Sequence, residues 1–222
     1  VKSSTLRVPA VLAVFCAAIF LLAGCLWKDP VSSLHGSLEK IVELEKPFKK
    51  EQASLKSLEK NESKLYEEMI RLNMDDFDQV VKLSNQALKN ADKREAHLQT
   101  EKESIEKAKR EFEANKETAE KIGDEKVRKK AENAASYMEK RYKAYGTLYA
   151  AYKSAIGLDK ELYKLLQNKD LELSKLEAQL KKINKSYDDV LKRSKDFNAY
   201  TKDFNQAKKE FYKAAGFNVK ES

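Results

Sequence analysis

Tyr142, Tyr145, Tyr149 and Tyr152 recur at i, i+3, i+7 and i+10, a spacing that puts four rings on one side of a helix together with Met138 and Ile156. Farther on, Asn198, Thr201 and Asn205 flank Phe197, Phe204 and Phe211 at the same periodicity. Tyrosine faces stack on sugar rings, and amide and hydroxyl groups bond sugar hydroxyls, so the two sets together describe a carbohydrate-binding cleft. The same spacing also describes a core in which the tyrosines bury their rings and keep their hydroxyls paired, with Asn198 and Asn205 fixing helix register. Lys181, Lys182, Lys185, Lys192, Arg193, Lys195, Lys208 and Lys209 supply a positive face for an anionic polymer or lipid headgroup, or a solvated surface. Catalytic patterns are few. His35 and His97 fall on different predicted helices, no His-Glu-x-x-His pair offers a metal site, and there is no Gly-rich phosphate loop or Gly-x-Ser-x-Gly elbow. The abundant Glu and Lys at (i, i+4) spacing read as solvated, salt-bridged helix faces. The expectation is therefore binding and not catalysis, with no metal and no cofactor beyond a covalent lipid.

The other chemistry-bearing group is Cys25. Lys2 and Arg7 give a positive start, residues 8–23 carry no charge, and Leu22-Ala23-Gly24-Cys25 follows. An uncharged run of this length falls short of the roughly 20 residues that span a bilayer and suits a signal-peptide core. Leu22, Ala23, Gly24 and Cys25 match a lipobox position by position. Cleavage before Cys25 and diacylglyceryl transfer to its sulfur would tether the chain, since two or more acyl chains hold where one alone gives marginal binding. Cys16 leaves with the signal and Cys25 is consumed by lipid, so the body is held by packing, without disulfides. The expected location is the extracytoplasmic face of the cell membrane, with the membrane as one partner and a cell-wall polymer or another envelope protein as a second. Nucleic acid is not a partner on that side, and oligomeric state is not fixed by sequence.

With 36% charged residues, 3 Pro and 6 Gly, the chain has few places to turn and must be built from long helices. The expected domains are a cleaved signal at 1–24, a lipidated cysteine and linker at 25–32, a helical body at 33–216 and a tail at 217–222. A linker of this length reaches at most about 25 Å. Within the body the helices are expected near 33–72, 76–121, 125–166 and 171–215. The first has the seven-spaced series Leu34, Ile41, Phe48, Leu55, Met69, with Glu62 interrupting it, and Pro47 predicts a kink near Lys46. The second has charged companion positions at Glu95, Lys102, Lys109 and Lys116, which predicts the most exposed helix with the least stable middle. Gly157 is a candidate break in the third. The fourth has the strongest series: Leu176, Ile183, Val190, Phe197, Phe204 and Phe211. The fold class is all-α, an elongated up-and-down bundle of four helices, or three if Gly123 does not turn the chain. Charge is uneven: residues 124–222 hold 23 Lys/Arg against 15 Asp/Glu, while residues 25–123 are slightly acidic. An anionic partner is sought on the second half.

Leu58-Glu59-Lys60-Asn61-Glu62-Ser63-Lys64-Leu65-Tyr66, Asp92-Lys93-Arg94-Glu95 and Glu101-Lys102-Glu103-Ser104-Ile105 resemble stretches of the YkyA-like lipoproteins of Gram-positive bacteria. Arg141-Tyr142-Lys143 and Glu161-Leu162-Tyr163 continue the likeness, which is densest at Phe197-Asn198, Thr201, Phe204-Asn205, Lys208 and Phe211-Tyr212. The resemblance covers nearly all of the chain after the lipobox. It implies an all-α bundle and a cell-wall-binding lipoprotein, and it brings no catalytic residues with it.

Overall fold

The computed structural model describes residues 29–218. The signal segment, the lipobox with Cys25 and residues 219–222 lie outside the described residues. The first helix, α1 (Pro30–Leu44), begins three residues before the expected Ser33. Asp29 and Pro30 are the reason. The Asp29 carboxylate accepts the Ser32 amide at 2.9 Å and its hydroxyl at 3.0 Å, and proline at the first position has its φ preset for a helix. Only the short stretch between Cys25 and Asp29 then separates the candidate lipid from the helix, a reach of at most about 14 Å.

A second helix, α2 (Lys46–Met69), continues α1 after a break at Glu45. Pro47 removes one amide donor, but the break has a second cause. Where an unbroken helix would bond the Phe48 amide to the Leu44 carbonyl, the Ser104 hydroxyl stands between them. It donates to Leu44 O at 2.7 Å and accepts from Phe48 N at 3.3 Å. A side chain inserted into the i→i−4 ladder is a recognised cause of kinking. Glu45, at the corner, is clamped by Arg141, with Nη1 to Oε1 at 2.6 Å and Nη2 to Oε2 at 2.8 Å. Arg141 in turn donates through Nε to Thr201 Oγ1 at 3.0 Å. Ser104→Ala should leave both backbone groups without their bridge and destabilise the protein by about 1–3 kcal/mol. Chemical denaturation of the variant measures this, and an unchanged midpoint would show that the bridge carries no weight.

The chain then turns through a 3-10 segment at Met74–Asp76, bounded by a capping box between Asn73 and Asp76, into α3 (Phe77–Asn115). Another 3-10 segment, Lys116–Lys121, leads to Ile122 in extended conformation and Gly123. Asp124 caps α4 (Glu125–Leu165) by accepting the Val127 amide at 2.9 Å. Gly123 therefore does turn the chain, which settles four rods against three. Helix α4 runs unbroken through Gly157, and α5 (Leu173–Ala214) completes the bundle. It ends in a Schellman-type cap: Gly216 takes φ +79°, where a side chain would be strained, and the Phe217 amide reaches back to Tyr212 O at 2.9 Å. Phe217 is not a free tail, since its ring stacks on His35 with centroids 4.0 Å apart.

Cross-links place each rod antiparallel to the next. Ser37 of α1 meets Glu111 of α3, Ser84 of α3 meets Met69 of α2, and Lys130 of α4 meets Glu210 of α5. At 1.5 Å per residue the rods are roughly 60 Å long. The core is continuous in type but divided along the axis. One cluster fills the α1 end around Ile41, Phe112, Met138, Phe197 and Phe211. A second, around Met69, Leu83, Leu162 and Ile183, fills the far end, and Leu98, Tyr152 and Ile156 pack between them. The expectation that α3 is the most exposed rod is overturned. It buries 12 of its 39 residues, against 7 of 42 in α5. Ala87, Ala91 and Ala108 are fully buried, and the polar side chains Asn90, Arg94, Glu101 and Ser104 are themselves buried. The exposed rod is α5, which leaves Leu173 at 68% and Leu191 at 60% of full exposure.

Candidate functional site

The bundle divides the sequence-predicted set in two. Tyr142, Tyr145 and Tyr152 are buried, and Tyr149 is half-buried, its hydroxyl donating to Gln99 Oε1 at 3.1 Å. Tyr145 packs against Phe48 and Phe197 with centroids 5.9 and 5.7 Å away, and Tyr142 against Phe112 at 5.8 Å. Their common face is the inner face of α4, because the spacing that aligns them is also the spacing of the core series. Asn198, Thr201 and Asn205 stand on the other side of Phe197 and Phe204, along a groove between α1 and α5 of about 1170 Å³. Asn198 and Asn205 are exposed, and neither amide bonds to another described residue. They do not act as buried register pins. Thr201 is committed inward: besides Arg141, it bonds the Phe197 carbonyl at 2.8 Å. Across the groove, Tyr212 donates to Glu39 Oε1 at 2.7 Å and Lys208 approaches the same oxygen at 3.8 Å. His35 lies over Tyr212 and Phe217. The result is a polar trough with aromatic rings in its floor and unused amides on its lip. It adjoins the end of α1 nearest Cys25.

A second site lies some 30 residues along the first rod and was not singled out by the sequence. Arg94, with 1% exposure, sits at the centre of the bundle. Its Nη1 reaches Glu62 Oε2 at 2.7 Å and Asp159 Oδ2 at 3.0 Å, and its Nη2 reaches the Tyr187 hydroxyl at 2.7 Å. Each of the four long rods contributes one member: Glu62 from α2, Arg94 from α3, Asp159 from α4 and Tyr187 from α5. Further bonds complete the shell. Tyr163 donates to Glu62 Oε1 at 3.0 Å, Asn90 to Glu62 Oε2 at 3.2 Å, and Tyr187 to Asp159 Oδ2 at 2.5 Å. Burial opposes the charge on Arg94, but the facing oxygens of Tyr187, Tyr152 and Glu62 outweigh it and raise its pKa. Burial also raises Asp159, while Tyr163 and Tyr187 are held firmly neutral, first by burial and then by the adjoining carboxylates. One signal for this network was visible. Glu62 occupies a core position between Leu55 and Met69, and a carboxylate placed there requires a partner. Sequence alone does not say that the partner is Arg94.

Nothing in either site assembles a nucleophile with an oriented base. Among the described residues no group of three or more His, Cys, Asp or Glu side chains is disposed to hold a metal, and no helix is long and apolar enough to cross a membrane. The described residues form a long antiparallel helical body with a polar trough at one end, and residues 29–214 match the family described as "Putative cell-wall binding lipoprotein". The chain belongs to that family, YkyA. It is 47% identical to the "Uncharacterized lipoprotein YkyA" of Bacillus subtilis (strain 168) over 222 residues, the whole of both chains. A crystal structure of a conserved protein of unknown function from Staphylococcus aureus has the same fold, with TM-score 0.73 at 23% identity over 82% of this chain and 91% of that one.

Proposed function

We propose that this protein is a non-catalytic envelope-binding lipoprotein, anchored through acylated Cys25 on the outer face of the cell membrane, whose α1–α5 groove holds a hydroxyl-rich, phosphate-bearing wall polymer. The observation that carries the reading is the pair Asn198 and Asn205. Both amides are exposed in the groove without a protein partner, beside the Tyr212 ring and Lys208. Amides bond sugar hydroxyls, rings cover sugar faces, and lysines attract phosphate in a salt-dependent way. The family description agrees with this chemistry. The short reach from Cys25 to Asp29 keeps the groove near the membrane, where wall polymers are anchored and assembled.

Residues 26–222 contain every described helix and serve for the test. They should sediment with isolated wall at low salt and be released as salt rises. Asn198→Ala combined with Asn205→Ala should weaken retention about thirtyfold, at about 1 kcal/mol for each of two lost bonds. Failure to sediment at low salt would overturn the reading. In cells, Cys25→Ala should release the protein or leave its precursor uncut, and membrane retention of a processed protein would count against the anchor. The exposed Leu173 and Leu191 of α5 favour a second reading, an accessory scaffold that docks another envelope protein along that helix. Crosslinking in cells separates the two, since a scaffold yields a stoichiometric protein partner.

A further inference from the structure

Between α2 and α5 the bundle is open, and the Arg94 network forms the floor of a cleft of about 490 Å³. That size is within the range of small-ligand sites. The wall from α5 is apolar, formed by Leu180, Ile183, Val190 and the outward Leu191. The floor is charged, and its charges do not balance. Glu62 and Asp159 bring two carboxylates to one guanidinium, and Glu59 adds a third acid at the rim, where it accepts the Tyr152 hydroxyl. The guanidinium has little to offer an incoming anion: Nη1 is shared by two carboxylates, Nη2 already donates to Tyr187, and Nε is sealed from solvent. Asp159 is the opposite case. Its Oδ2 receives both bonds made to the carboxylate, while no described residue donates to Oδ1. Asp159 is only 4% exposed, so what surface it keeps opens into this cleft. A carboxylate oxygen that no described residue bonds and that opens into the cleft, at the foot of an apolar wall, fits a donor that carries positive charge and an apolar body.

We propose that this cleft is a second binding site, for a small organic cation: a primary ammonium placed against Asp159 Oδ1 with its hydrocarbon body laid along Ile183, Val190 and Leu191. The site is separate from the wall-binding groove, shares with it only α5, whose residues 180–191 line the cleft and 198–212 the groove, and stands whether or not the groove binds polymer. It selects by charge at the floor and by apolar contact at the wall, so the neutral and anionic counterparts of the same ligand are the informative comparators.

The probe is hexylammonium, titrated into residues 26–222 and followed by amide chemical shifts around Asn184 and Leu191, with hexanol and hexanoate run in parallel. Hexylammonium should give saturable shifts. Hexanol should bind about tenfold or more weakly, because it loses the charge-assisted bond, and hexanoate should give none. Asp159→Asn should remove the preference of ammonium over alcohol. Should that variant fail to fold, Leu191→Lys changes only an exposed rim residue. It should weaken hexylammonium about tenfold by placing a like charge at the mouth, with the helical signal unchanged. Equal binding of hexanol and hexylammonium, tighter binding of hexanoate, or no saturable shifts at all would each overturn the proposal.

Discussion

Replacing Arg94 with methionine should lower stability by about 3–5 kcal/mol, because the change leaves Glu62 and Asp159 facing each other in the interior without their common cation. For a chain of this size that corresponds to a fall in melting temperature of about 6–20 °C. The methionine keeps most of the apolar stem volume, so the loss reports the charge and its hydrogen bonds more than a cavity. A pH signature separates this from general loosening. Burial already raises Asp159 in the presence of Arg94, and loss of the guanidinium, which opposes that shift, makes Asp159 hold its proton still more tightly in the fold than in the unfolded chain. A group whose folded pKa is raised binds more protons when folded, so stability falls as pH rises through that interval. The deficit of the variant should therefore be largest at neutral pH and shrink in acid. Combining Arg94→Met with Glu62→Gln and Asp159→Asn should recover much of the loss at neutral pH, since neutral groups cost less to bury than unpaired charges. Thermal melts of the single and triple variants against pH decide the matter. A single variant that melts with the parent would mean that the network is incidental.

The same network explains what was and was not legible before the structure. Rod number and order followed from local signals: Gly123 and Asp124 at one turn, Asn73 to Asp76 at another, and the Phe197, Phe204, Phe211 series that still forms the inner face of α5. The kink was visible in Pro47, but its second cause was not, because Ser104 lies far off in sequence and its hydroxyl acts only once α3 is packed beside α1. The tyrosines of α4 make a candidate face in the sequence because aromatic spacing is identical for a cleft and a core. What decides between them is the neighbour across the interface, here Phe48 and Phe197. Charged positions on α3 predict exposure, which is the usual outcome for Lys and Glu. Arg94 and Glu101 escape it because partners on other helices meet them, and pairing at that range leaves no periodic trace. Asn198 and Asn205 could be assigned to an outer face from their offset from Phe197 and Phe204. The groove that gives them a possible ligand depends on α1 closing against α5.

Glu101 should make the protein lose stability as pH rises toward neutrality. Its carboxyl is buried between α2 and α4 with 3% exposure, and burial, opposed by Gln52 and Tyr145 and reinforced by the charge of Glu51, pushes its pKa from the ordinary 4.5 up to about 7. Gln52 Nε2 donates to Oε2 at 2.6 Å, a bond that favours the ionised carboxyl but that the protonated form also accepts. Glu51 is in contact with His97 on its other side, so the groups facing Glu101 are Gln52, Tyr145, Glu51 and, beyond it, His97. Because the folded value lies above the unfolded one, the folded state holds more protons between about pH 4.5 and 7. Stability from this group is complete below that window and lost as pH climbs through it, on the order of 3 kcal/mol in all. Glu101→Gln removes the titration while keeping the shape. The Tyr145 hydroxyl, which faces the same carboxyl, offers an acceptor for the new amide. The variant should match the parent in mild acid and exceed it above neutrality by a few kcal/mol, with a flatter profile between. Denaturation midpoints measured across that window give the answer. If variant and parent run parallel throughout, Glu101 stays ionised in the fold and this acid is not the source of any pH dependence.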